Sequence, residues 1–266
     1  MRRLRVYLFV FSLFTIHAAF SQKLQHDWEN YVTAIKDKPV SINVDLGIKP
    51  FVPLKDMPYV MIVRLKLQAS NEFGMPSEDE VLTLNEIEEQ LVDLLSRGQG
   101  AIYVGRFTQR GIREFYFYAG DTIRYQQTIN TALVSFTSYQ WLAQCKRDES
   151  WQNYLNVLYP ADLDKMLIDS RRQLNLFLQN NAAGIKKNVS YYFEFPDDAS
   201  CRKFLQTPGC SKYTVNQYIR KAGGKGISMV FSAIESIDRK WLEQSIPVLF
   251  SASKKHGGLY KGWEIE

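Results

Sequence analysis

The sequence has few of the residues that build reactive centres: three cysteines and three histidines in 266 residues. His17 falls in a leader-like segment, and His26, His256, Cys145, Cys201 and Cys210 show no ligand spacing. Zinc therefore finds no candidate set. A serine-hydrolase elbow, an HExxH helix and a CxxC pair are all absent, so motifs identify no catalytic residue, and neither a cofactor nor a metal is expected. Past Gln22 no apolar run approaches the ~20 residues that a helical membrane span needs. An excess of one charge is missing too. The formal charge of +5 falls to +2 once Arg2, Arg3 and Arg5 of the leader are set aside. A chain so nearly balanced has no general drive toward phosphate backbones or anionic lipid, and nucleic acid is not an expected partner.

What is present begins with an address. Residues 1–22, MRRLRVYLFVFSLFTIHAAFSQ, place three arginines before an apolar run from Val6 to Ile16, with Ala19 and Ser21 at small-residue positions ahead of Gln22. That is the form of a cleaved secretory signal peptide, which implies a periplasmic or secreted protein. The aromatic content is high, with 16 Phe, 15 Tyr and 5 Trp, enough to fill sheet cores or to line a surface.

Residues 23–160 read as a first α+β domain. Its centre is the hairpin Gly100 to Asp121, GAIYVGRFTQRGIREFYFYAGD, whose alternation on both faces marks two central strands, with Gly111 free to take a positive φ at the tip. Upstream, Val40, Ile42 and Val44 alternate with Ser41, Asn43 and Asp45, and Tyr59 to Leu67 forms another strand. Trp28, Tyr31 and Ile35 have a spacing compatible with helix or strand. Ser77 and Glu80 form a capping box for a helix carrying Val81, Leu84, Ile87, Leu91, Leu94 and Leu95 on one stripe. A second helix is expected from Asp121, and a closing strand over 138–146. These elements predict a ferredoxin-like sheet with its helices on one side and one strand added at the N-terminal end.

Residues 161–266 read as a second domain. A helix over 162–181 leads into a strand ending at Pro196, a short helix capped by Asp197 or Asp198, two strands joined through 221–225, a helix capped by Asp238 and divided or kinked by Pro247, and a last strand over 259–265. The order β-α-β-β-α-β is again ferredoxin-like, so the fold class is two tandem α/β sandwich domains. Ala222-Gly223-Gly224-Lys225-Gly226 fails as a phosphate loop because a strand, not a helix, follows it. Export would permit a disulfide between Cys201 and Cys210, provided the chain doubles back after Thr207-Pro208-Gly209 and brings the Cα atoms within ~7 Å.

Residues 28 to about 159 resemble a bacterial family of unknown function, numbered 695, in DWENYVTAIKDKPVSINVDLG, NEFGMPSEDE and the hairpin. The part from Asp162 to Glu266 is similar to the regulator of ribonuclease E activity B family, in YYFEFPDDASCRKFL and KKHGGLYKGWE. The second resemblance implies a ferredoxin-like fold and a role in binding and inhibiting a cytoplasmic ribonuclease, a partner that an exported protein would not meet. Neither resemblance implies a catalytic residue.

The reading that follows is an exported, non-catalytic binding or regulatory protein whose partner is another envelope protein. An envelope hydrolase with an unrecognised site and a ribonuclease regulator are the alternatives. The candidate binding surface comprises Asn71, Glu72 and Phe73 in the NEFGMP loop, Tyr116 and Tyr118 in the hairpin, and Tyr260 and Trp263 near the C-terminus. Loops that carry a glycine and an aromatic are where binding residues gather.

Overall fold

The computed structural model describes residues 25–210, 212–220 and 226–266. The expected leader and the expected hairpin tip at 221–225 lie outside these residues. The described chain is α+β, with two antiparallel sheets of six and four strands.

The first sheet is built from β1 (Trp28–Ile35), β2 (Lys38–Asp45), β3 (Tyr59–Lys66), β4 (Ile102–Gln109), β5 (Ile112–Ala119) and β6 (Trp141–Arg147), in the order β1-β2-β4-β5-β3-β6. Two strands, not one, precede β3. Only Tyr31 of β1 is buried, because β1 is the edge strand and water reaches the rest. An edge strand need not alternate, and its sequence shows no clear period. Helix α1 (Glu78–Gln99) lays Leu84, Ile87, Leu91 and Leu95 on the sheet and stops at Gly100, whose φ of 59° is a left-handed cap. Ser77 stands at its N-cap without a side-chain cap bond. Helix α2 starts at Tyr125, not Asp121, and ends at Leu133.

Helices α1 and α2 lie on one face of this sheet, and the other face carries a second layer that the expectation did not include. On one face α1 and α2 pack with Met61, Val63, Tyr103, Phe115 and Phe117. On the other, a 3-10 turn at Leu46–Phe51 and a π-helical turn at Tyr154–Leu158 close over Val40, Ile42, Val104, Tyr116 and Tyr118. Hydrogen bonds fix that second layer: Tyr154 donates to the Asp45 carbonyl at 2.8 Å, Trp151 Nε1 to the Met57 carbonyl at 3.1 Å, and Tyr31 to the Leu158 carbonyl at 2.8 Å.

The second sheet comprises β7 (Ile185–Phe195), β8 (Thr214–Arg220), β9 (Ile227–Ile237) and β10 (Leu259–Ile265), in the order β10-β7-β9-β8. Helices α3 (Asp162–Leu178), α4 (Asp198–Leu205) and α5 (Arg239–Lys255) enter one core with its inward residues, among them Tyr191, Phe193, Phe204, Phe231 and Trp241. Asp197 and Asp238 cap α4 and α5 by accepting from the Ser200 and Trp241 N–H groups. Pro247 lies inside α5 without dividing it. Helix α3 joins the two sheets. It gives Ile168 to the first core and Leu174 to the second, and Arg172 grips Asp27 at 2.9 and 3.0 Å and Glu29 at 2.8 Å.

Candidate functional site

The structure divides the seven residues of the expected surface. Tyr116, Tyr118, Tyr260 and Trp263 are buried and belong to the cores. Tyr118 lies flat on Trp151 at 3.7 Å between ring centroids, and Trp263 donates to Ser170 Oγ at 3.1 Å. Burial first, and the neighbouring Glu114 carboxylate second, push the Tyr116 hydroxyl far above its ordinary pKa. These four side chains are not available to a ligand. Asn71, Glu72 and Phe73 are exposed. Cys201 and Cys210, the possible disulfide pair, stand as separate thiols; both belong to the second core, where Cys201 Sγ meets Met229 Sδ at 3.6 Å.

The loop at 68–77 is ordered by its own side chains. Asn71 Oδ1 accepts from the N–H groups of Phe73 and Met75, both at 3.0 Å. Glu80 reaches back from the first turn of α1 and accepts from the N–H groups of Gln68 at 2.7 Å and Ala69 at 3.1 Å. The Gly111 N–H donates to the Gly74 carbonyl, which ties the loop to the β4–β5 turn. Phe73 is thereby held 57% exposed. A groove of about 570 Å³ runs beside it, lined by Asp37, Lys38, Pro39, Glu72 and Arg110. None of the four charged groups in that lining forms an ion pair among the described residues.

From this end an uncovered strip follows β1 and β2 on the helix side of the sheet. Its floor carries Trp28, Asn30, Val32 and Ala34, with Asn43 donating to Asn30 at 3.0 Å. Val32 is 65% exposed and Trp28 41%. Trp28 is not loose, since its ring stacks on Tyr103 at 5.4 Å between centroids. The wall is α1, where Asn85, Glu88, Glu89, Val92 and Asp93 line a second depression of about 410 Å³ with Arg106. Glu88 accepts from Tyr103 at 2.8 Å and from Arg106 at 2.5 Å, which fixes the corner between wall and floor.

Behind that corner Arg113 is buried, with Nε donating to Thr108 at 3.1 Å and Nη1 without a hydrogen-bond partner. Burial, and then the charge of Arg106, lower its pKa. Glu80 and Glu88 oppose that shift from the α1 side. The arrangement is a polar seam tying α1 to the hairpin and the 68–77 loop. It assembles neither a nucleophile beside a base nor paired acids. Among the described residues no group of three or more His, Cys, Asp or Glu side chains is placed to hold a metal. Nor is any described helix long and apolar enough to cross a membrane.

Residues 26–159 match the model of a family of unknown function, DUF695. The chain belongs to this family. No curated protein matches it. A crystal structure of an unknown protein from Galdieria sulphuraria matches over 79% of this chain and 97% of its own, at 10% identity and a TM-score of 0.21. The DUF695 match takes in the whole first sheet, the 68–77 loop and the strip beside α1, whereas the second sheet lies beyond it. Trp28, Val32, Glu89 and Lys38 were not among the site residues that sequence reasoning named. In WENYVTAI the tryptophan and valine stand among Tyr31, Ala34 and Ile35 as well as polar residues, so the segment itself does not mark which apolar side chains stay exposed.

Proposed function

We propose that this DUF695 protein is an exported, non-catalytic binding protein that holds a polypeptide partner against the uncovered helix-side strip of its first sheet. The observation that carries the reading is the exposure of Val32, Trp28 and Phe73 on elements that are themselves pinned: a paired strand, a ring stack and a loop closed by Asn71 and Glu80. Large apolar side chains on a rigid frame, rimmed by polar groups, are the usual make-up of an interface core. The leader-like residues 1–22 support a periplasmic or secreted address and a partner in the same compartment.

The same reading takes both sheets as ferredoxin-like, divided between residues 160 and 161. The orders β6-β3-β5-β4 and β10-β7-β9-β8 each follow the succession β-α-β-β-α-β, and β1 and β2 extend the first. The second unit keeps its resemblance to the regulator of ribonuclease E activity B in fold, with a different partner.

The test compares the mature protein with V32D and I234D in native envelope extract by size-exclusion chromatography. Ile234 is 74% exposed on the second sheet and serves as the control. A complex retained by I234D and weakened at least ~10-fold by V32D is the expected outcome. A complex indifferent to V32D, or none at all, contradicts the reading.

A further inference from the structure

The helix layer on the first sheet is one helix short. Six strands about 4.8 Å apart make a face roughly 29 Å wide, and two helices of about 10 Å diameter cover roughly 20 Å of it. Those two, α1 and α2, sit over the β4-β5-β3-β6 part. What is left over β1 and β2 is about 9 Å wide, the packing distance of one helix. The second sheet shows the contrast within the same chain, since its four strands share a core with α3, α4 and α5.

The chemistry of the strip indicates what covers it. A segment lying on a sheet face cannot pair its backbone with the sheet, because those groups already bond strand to strand. A helix satisfies its own N–H and C=O groups within one segment, so a single segment of this width can lie there without leaving polar groups unmet. Val81, Asn85, Glu88 and Val92 follow one another at helical spacing along the flank of α1 above the strip. Together with Trp28, Val32 and Ala34 they offer an apolar track with polar interruptions. Beside α1 the charge left over is negative. Arg106 pairs with Glu88, and Arg97 with Asp93. Glu89, beside them in the same depression, forms no ion pair among the described residues.

Resting on the binding reading above, we propose that the strip seats one amphipathic helix of a protein partner, whose apolar face covers Val32 and Trp28 and whose basic flank meets Glu89. Recognition is helix-in-groove, with specificity from the charged flank.

The probes are labelled peptides of about 18 residues, ~27 Å as a helix, which matches the length of β1. One has a leucine stripe and a lysine flank, the second the same stripe with a glutamate flank, and the third is the lysine peptide broken by two central prolines. Fluorescence anisotropy is measured on the wild type, V32D and E89K, with unchanged circular dichroism and Tm required of both variants. The lysine peptide is expected to bind at least ~10-fold more tightly than the other two, V32D to lose that binding, and E89K to shift the preference toward the glutamate peptide. Equal binding of the proline-broken peptide overturns the helix assignment, and indifference to E89K overturns the basic flank. If a native complex is lost in V32D but the lysine peptide fails to compete with it, this inference falls while the binding reading stands. If V32D leaves the native complex intact, both fall.

Discussion

Gly74 and Arg110 meet backbone to backbone: a Cβ on Gly74 would lie 2.6 Å from the Cα of Arg110 and 2.7 Å from its nitrogen. Gly74 also has a φ of +76°, a left-handed conformation that side chains resist. Substitution G74A adds a clash with backbone that cannot swing away, and is expected to cost about 1–3 kcal/mol. Thermal unfolding should show a lowered Tm, and limited proteolysis should show new cleavage within residues 68–77. An unchanged Tm with a protected loop would mean that the loop does not rest on the hairpin as described.

Glu80 holds the same loop from its other end. The sequence offers it as the partner in a capping box with Ser77, but its carboxylate is spent on the Gln68 and Ala69 N–H groups, and Tyr139 bonds to it as well. Burial first and this carboxylate second raise the Tyr139 hydroxyl to about 12. E80Q replaces a charged acceptor with a weaker one and should cost about 1–2 kcal/mol. Hydrogen exchange at Gln68 and Ala69 should accelerate at least ~10-fold, while exchange in β9 stays as it was. Equal protection in both variants would remove Glu80 from this role.

Asp148 makes stability depend on pH. Its carboxylate is buried, which by itself disfavours the charge, but Asn153, Tyr118 and the Gln152 and Asn153 N–H groups all donate to it, and the net effect lowers its pKa. A group with a depressed folded pKa contributes stability above its unfolded value, about 3.9, and loses it as pH falls through the folded value. Tm measured against pH should therefore decline below about pH 4 in the wild type. D148N should start lower at pH 7 by about 2–4 kcal/mol and show a shallower acid limb. Parallel acid limbs would assign the decline to other carboxylates.

The cysteines test the described state of the second core. Burial raises the thiol pKa of Cys201 and of Cys210, and that of Cys145 to about 11. All three should alkylate slowly in the native protein. Unfolded without reductant, the chain should take up three alkyl groups by mass spectrometry. One group in place of three would show a Cys201–Cys210 bridge.

Much of the framework is legible in the sequence because its period is strong. The hairpin at 100–121, the α1 stripe through Leu84, Ile87, Leu91 and Leu95, the caps at Asp197 and Asp238, and the last strand all follow from local pattern. Failures come where long-range packing decides. Tyr116 and Tyr118 face away from α1, and on a one-sided sheet they would be exposed. They are buried because residues 151–158 return from far along the chain to cover them. Tyr260 and Trp263 vanish into the second core by the same logic, with α3 supplying Ser170 as the indole's acceptor. The uncovered strip was illegible for the opposite reason. Exposure of Val32 depends on where α1 stops reaching across the sheet, and no local pattern in WENYVTAI encodes that.

The central claim is that a partner seats over β1 beside α1, and site-specific photocrosslinking tests it most directly. A photoreactive residue is placed at position 32, 73 or 234 of the protein expressed in its native cell. Adducts at 32 and 73 with the same partner, absent at 234 and mapped to one contiguous segment of that partner, are the predicted result. Adducts at 234 alone, or none at 32 when 234 reacts, would contradict it.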